Sequence, residues 1–222
     1  SDDWSPGPDT DAVQLSRLVE LLKSYQDNYG RHPVMTLGIV LTIPNVVRIK
    51  NSAYCEYHAL ALGGDILDEI NRGLNSGVFS IQLHGMAHFW PDELMEALQG
   101  DTSLRRWFDG FVCEDVKHDE PGHSSRNEAF RTEHLPSRLQ SRWASLVDNA
   151  GVILNEEAIK KAVDDEVDTF IAIFSQQPCV VVPPTFVWNT FLESCWLKKG
   201  LKYLVSPGAR YITRQVNGDL VL

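Results

Sequence analysis

Apolar positions fall into two kinds of run along this chain. One recurs every three to four residues: Leu15, Leu18, Val19, Leu22 and Tyr25 make a stripe that predicts an amphipathic helix ending near Gly30. The other is nearly continuous. Residues 34–41 (VMTLGIVL) are apolar and rich in branched side chains, the pattern of a strand covered on both faces. From there the two kinds alternate. A loop passes through Pro44 and Asn45, a short helix spans Asp65 to Leu74 behind the Gly63-Gly64 turn, and Val78 to Leu83 (VFSIQL) predicts a second buried strand that delivers His84 to its C-terminal end. Pro91, Asp92 and Glu93 open the next helix. Proline has no amide to leave unpaired at the first helical position, and carboxylates there complement the helix dipole.

The clearest helical signal runs from Asn155 to Phe174, where Ile159, Val163, Val167, Phe170, Ile171 and Phe174 share one face and charged residues the other. Cys179 to Val182 (CVVV) then predicts a buried strand ending at Pro183 and Pro184. A helix from Asn189 to Lys199, a short strand from Lys202 to Val205 and an Asn217-Gly218 hairpin turn complete the pattern. Between Cys113 and Pro136 the polar stretch holding His118, His123 and His134 has little periodicity and reads as a long functional loop. No internal repeat or linker interrupts the order, so residues 1–222 are expected to form one α/β domain with mainly parallel strands. Ligands in such folds gather at the C-terminal ends of the strands. His84 and His88 follow one such end, and Pro183 to Trp188 another.

Composition narrows the partners. At 222 residues the chain can bury a sizeable core. Its 20 basic and 30 acidic residues leave a net charge of −10, spread along the sequence, which would repel phosphate backbones, so no nucleic-acid partner is expected. No apolar run approaches the roughly 20 residues that cross a bilayer, and no membrane span is expected. The opening SDDWSPGPDT is not a secretory leader, but a secreted chain already stripped of its leader would look the same, so the compartment stays open. Cys55, Cys113, Cys179 and Cys195 lie 58, 66 and 16 residues apart, without CxxC or zinc-ribbon spacing, and are expected to be buried free thiols.

The candidate chemistry starts at His84-Gly-Met-Ala-His88. Two imidazoles four residues apart, directly after a buried strand, can be aimed by a turn at one point, which suits a divalent metal. A pair at this spacing arises by chance in roughly one sequence in five at this histidine content, so the pair alone is ambiguous. It is not the metalloprotease helix motif, because Gly85 stands where that motif needs glutamate. Asp2-Asp3-Trp4 is the second signal. Adjacent carboxylates are ordinarily a solvated terminus. Beside a two-histidine site, one can complete a His₂Asp metal set while the other takes a proton from the attacking water. There is no GxSxG elbow, GxGxxG fingerprint or GK[ST] loop, which disfavours a serine hydrolase and a nucleotide-binding protein.

With these residues in place, the sequence resembles the polysaccharide deacetylase superfamily of carbohydrate esterases: LHGMAH after a strand is similar to its histidine motif, SDDW to its first motif, and VVPPTFVWN to the strand-end segment lining the substrate groove. The three stretches span Asp2 to Asn189, with long unmatched segments between. The resemblance implies a distorted, TIM-like (β/α) barrel of seven mainly parallel strands. It implies that Asp3, His84 and His88 hold a divalent metal, zinc above all, and that Asp2 is the general base. The implied activity is metal-dependent removal of N-acetyl, or less often O-acetyl, groups from a carbohydrate. The chemistry suits these residue types, because a divalent cation polarises a carbonyl and lowers the pKa of water, and three protein ligands leave positions open.

Trp4, Trp90, Pro184, Phe186 and Trp188 are the candidate substrate-binding residues, since flat aromatic rings stack on the apolar face of a sugar; for each tryptophan, core packing is the alternative. No histidine follows His134, so the family's late general acid lies beyond Leu222, comes from the His118 to His134 loop, or is absent. The family's arginine at the strand-end segment is also missing. A carbohydrate-binding homologue without turnover, or a hydrolase of similar fold acting on another amide or imide C–N bond, would therefore share these features.

Overall fold

A computed structural model describes residues 4–6, 9–110, 135, 139–141, 156–208, 214–216 and 219–221 of the chain. It is a mixed α/β structure. Helix α1 (Asp9–Lys23) leads to strand β1 (Met35–Ile39), and a ribbon of β2 (Thr42–Pro44) and β3 (Ala59–Ala61) with α2 (Val46–Asn51) between them precedes α3 (Gly64–Asn75). Strand β4 (Phe79–Leu83), helices α4 (Pro91–Gly100) and α5 (Thr102–Phe108), the long α6 (Glu156–Phe174), β5 (Val180–Val181), α7 (Thr190–Lys198) and β6 (Tyr203–Leu204) follow. Strands β7 (Arg214–Val216) and β8 (Asp219–Val221) close the order as an antiparallel pair.

Four strands form one parallel sheet in the order β1-β4-β5-β6, so spatial order follows chain order. Register runs from Met35 opposite Phe79 to Ile39 opposite Leu83. On the outer side of β1, Trp4 makes an isolated parallel bridge with Ile39. Parallel strands are covered on both faces, which explains why Leu37, Ile39, Val40 and Leu41 are all buried in a run without alternation. The main core gathers Leu15 and Val19 of α1, Ile66 and Ile70 of α3, Val163, Val167 and Phe170 of α6, and Leu192 and Trp196 of α7 around the sheet. A second cluster packs Phe89, Leu94, Leu98 and Phe108 with Leu135 and Leu139. At full burial each such side chain stabilises by about 1.5–3 kcal/mol before the entropy of ordering it is subtracted.

Two polar devices lock helices in place. Arg72 of α3 reaches α1, where it pairs with Glu20 and donates to the Ser16 carbonyl at 3.0 Å and hydroxyl at 2.9 Å, while Glu69 holds it at 2.7 Å. Glu166 of α6 is buried and accepts the indole N–H of Trp196 on α7 at 2.8 Å, a satisfied polar bridge inside apolar packing. Helix α5 begins at Asp101, whose carboxylate accepts from the Ser103 and Leu104 amides.

These carboxylates carry a pH signature. The Arg72 hydrogen bond, aided by Lys23, holds Glu20 below the ordinary carboxylate range. The backbone N–H of Arg31, with its side chain, does the same for Asp27, and the Ser103 hydroxyl with two amides does so for Asp101. Each is depressed in the folded state, so the unfolded chain binds more protons in acid, and the stability they contribute is full above about pH 5 and lost as pH falls through the folded-state values. The melting midpoint is therefore expected to drop between about pH 5 and pH 3, and the drop to be shallower in an Arg72→Ala variant. Thermal melts followed by circular dichroism across that range measure both.

The predicted elements at 34–41, 65–74, 78–83, 155–174, 179–182, 189–199 and 202–205 are all present, most of them shorter than the pattern suggests, but the strands expected to be buried at 78–83 and 179–182 are only partly so, with Ser80 and Cys179 exposed. Tyr25 departs from its stripe: α1 ends at Lys23 and Tyr25 is exposed. Beyond it the Asp27 carboxylate accepts from the Tyr29 and Arg31 amides, and this local turn competes with further helix. Pro44 and Asn45, expected in a loop, end β2 and cap α2. Cys195 is buried as expected, with its thiol pKa raised chiefly by desolvation, but Cys55 and Cys179 are exposed free thiols, a correction that follows from their places on a turn and at the sheet's N-terminal edge. Cys113 and most of the 113–136 stretch lie outside the described residues, as do residues 217 and 218, although Val216 does face Asp219 across that two-residue connection.

Candidate functional site

The C-terminal ends of β1, β4 and β5 meet at His84. Strand β4 ends at Leu83, and the chain turns immediately after it, through Gly85 at φ +90°. A web of backbone bonds ties this turn to its neighbours: the His84 amide donates to Ile39 at 2.8 Å, Leu41 to Gly85 at 3.2 Å, Thr42 to Met86 at 2.8 Å, and Val182 to Leu83 at 2.8 Å. Gly85 is required on two grounds. Its φ lies in the left-handed region, and a Cβ there would stand 3.0 Å from the Pro184 side chain.

His84 is buried, 2% exposed, and its Nδ1 lies 2.8 Å from the Val182 carbonyl. A carbonyl oxygen only accepts, so Nδ1 carries the proton and donates, and in the neutral ring the lone pair belongs to Nε2. This is how metal-ligating histidines are held, with the outer nitrogen anchored to a backbone carbonyl and ring rotation thereby fixed. His88 is half-buried, with its ring centre 5.1 Å from that of His84 and the planes inclined by 66°. Two imidazoles bound through Nε2 to one tetrahedral zinc, with bonds of about 2.1 Å and ring centres roughly 1.1 Å further out, would have centres about 5.2 Å apart. The observed 5.1 Å matches that figure and is equally the separation of an edge-to-face aromatic pair. Among the described residues no group of three or more His, Cys, Asp or Glu is assembled around one point.

The remaining sequence-predicted residues are placed as follows. Asp2 and Asp3 lie outside the described residues. Trp4, one peptide bond after Asp3, is fixed by its backbone to β1, donating to Gly38 at 3.0 Å and accepting from Val40 at 2.8 Å. Its half-buried ring packs on the main core, and its indole Nε1 is buried without a hydrogen-bond partner among the described residues. Trp90, buried, precedes α4. Trp188, buried in the main core, donates from Nε1 to Glu193 at 2.8 Å. For these two indoles the core-packing alternative matches the burial.

Pro184 is buried against Gly85 and begins a 3₁₀ turn (Pro184–Phe186). Thr185 and Phe186 both have φ near +55°, a conformation that strains residues with a Cβ, and Phe186 emerges 37% exposed. Sequence reasoning missed Thr42, which is buried and puts both its amide and its hydroxyl on the Met86 carbonyl at 2.8 Å. The signal was available: Thr42 follows an apolar run and has an apolar residue after it, a position where a polar side chain needs a buried partner.

A comparison with protein-family models finds none that matches this chain, and no curated protein or solved structure matches it either.

Proposed function

We propose that this protein is a metal-dependent hydrolase of the polysaccharide deacetylase type, removing acetyl groups, chiefly N-acetyl, from a carbohydrate. The observation that carries the reading is the His84 anchor: a buried imidazole at a parallel strand end, its Nδ1–H on the Val182 carbonyl and His88 at the spacing of two ligands on one ion. His84 and His88 would hold the ion, zinc in the first instance. Asp3, the residue before Trp4, would complete the set. A divalent cation there supplies Lewis acidity toward a carbonyl oxygen and lowers the pKa of water. Asp2 would accept the proton of the attacking water, and burial around His84 would limit competing solvent.

The finer architecture belongs to the same proposal. Parallel strands laid down in chain order, with Trp4 as a further parallel neighbour outside β1, are what a distorted (β/α) barrel of seven strands would present over this part of its wall. Phe186, exposed on the turn, and the neighbouring Pro184 would form the rim over which a sugar ring stacks, while the buried Trp90 and Trp188 and the half-buried Trp4 would serve the packing behind it.

Acetate release from N-acetylated chito-oligosaccharides and from O-acetylated xylan, with zinc added, tests this. Turnover is expected on the former and is expected to vanish in a His88→Ala variant. Binding of the oligosaccharide with no acetate released would instead identify a non-catalytic binding homologue. Turnover confined to cyclic imides or simple amides would identify a hydrolase of another C–N bond.

A further inference from the structure

Thr42 lies on the β2–β3 ribbon, outside the parallel sheet, with Ala61 opposite it in register. Yet it donates twice, from the amide and from the hydroxyl, to one acceptor 44 residues away, the Met86 carbonyl, each at 2.8 Å. Met86 stands midway between His84 and His88. The first half of that turn is fixed independently, by the His84 amide on Ile39, the Leu41 amide on Gly85 and the ring bond to Val182. The second half has no regular structure before α4 begins at Pro91, and the two bonds at Met86 hold the chain where it leaves toward His88. A carbonyl with two donors cannot rotate without breaking both, so the peptide plane after Met86, and with it the direction in which the chain leaves toward His88, is set by Thr42.

We infer that Thr42 is a positioning residue for the imidazole pair, fixing the separation of His84 and His88 through the Met86 carbonyl. The inference rests on the metal-site reading above. A threonine is suited to this task because its branched side chain keeps the hydroxyl over the strand, and its burial shields the bond from water. Outer hydrogen bonds of this kind typically change metal affinity by 10- to 100-fold when lost. Thr42 acts on a ligand-bearing turn rather than on a ligand, which places the expected effect at roughly tenfold.

Cobalt(II), whose visible absorption reports both occupancy and coordination geometry, is the probe. The full chain is titrated as wild type, Thr42→Val, Thr42→Ala, Thr42→Ser and the His84→Ala, His88→Ala double variant. Wild type is expected to bind one cobalt with an absorption that the double variant lacks. Thr42→Val is expected to bind roughly tenfold more weakly with a shifted spectrum, and Thr42→Ser, which keeps the hydroxyl, to restore affinity and spectrum. If Thr42→Val does not fold, the comparison of Thr42→Ser with Thr42→Ala carries the same contrast. Wild-type binding by the hydroxyl-free variants would overturn the inference and leave the metal site standing. Cobalt absent from wild type, or retained in the double variant, would overturn the metal-site reading and this inference with it.

Discussion

On the proposed function, a His84→Ala protein is expected to retain less than about a tenth of an equivalent of zinc and to lose acetate release by at least roughly 10³-fold, because it would remove one proposed ligand and the anchor of the candidate site together. Elemental analysis after gel filtration and an acetate assay measure the two losses. The same substitution also empties a buried volume and leaves the Val182 carbonyl without its ring donor, so a fall in stability of about 1–3 kcal/mol accompanies it. His88→Ala separates the effects. His88 is half-buried, so its loss is expected to abolish zinc retention equally while moving the melting midpoint less. A His88→Ala protein that keeps its zinc would remove His88 from the site.

Replacing Gly85 by alanine is the second large expected effect. At φ +90° a Cβ is strained wherever it is placed, and here it also meets Pro184 at 3.0 Å, a ring held in the buried strand exit rather than the free end of a flexible chain. The two contributions together are expected to destabilise by about 2–4 kcal/mol, which lowers the melting midpoint by roughly 5–15 °C for a chain of this size. The strain falls between His84 and the Met86 carbonyl, so zinc affinity is expected to fall as well. Calorimetry and zinc titration on the same preparation test whether fold and site are coupled at this residue. Alanine tolerated with an unchanged midpoint would show that the turn can move away from Pro184.

The elements legible in the sequence are those whose periodicity is long or whose apolar run is unbroken. Helix α6 spans 19 residues with one apolar face, and β1 leads into the continuously buried run 37–41, so local pattern and tertiary packing agree there, whereas β4 is buried at Phe79 and Leu83 but exposes Ser80. Helices α2 and α5 have six and seven residues, too few for a stripe, and the marks they leave are their caps: Asn45 accepting from Arg48, and Asp101 from Ser103 and Leu104. Strands β2 and β3 have three residues each, and their pairing depends on partners distant in the chain.

The candidate site is legible only in its local part, for the same reason. The strand that delivers His84 and the four-residue spacing to His88 are local features. The acceptor of the His84 ring is 98 residues away and the donors on Met86 come from 44 residues away, so no window of sequence contains them. Aromatic residues carried the least information, since nothing local distinguishes the buried Trp188 from the exposed Phe186.

X-ray absorption at the zinc edge on the purified, zinc-loaded protein reaches the central claim most directly. One zinc per chain with two imidazole nitrogens at about 2.0–2.1 Å and oxygen donors completing the shell, one imidazole lost in His88→Ala, is the predicted result. A zinc-free protein, or a bound zinc whose shell is the same in wild type and in the His84→Ala, His88→Ala variant, would contradict it.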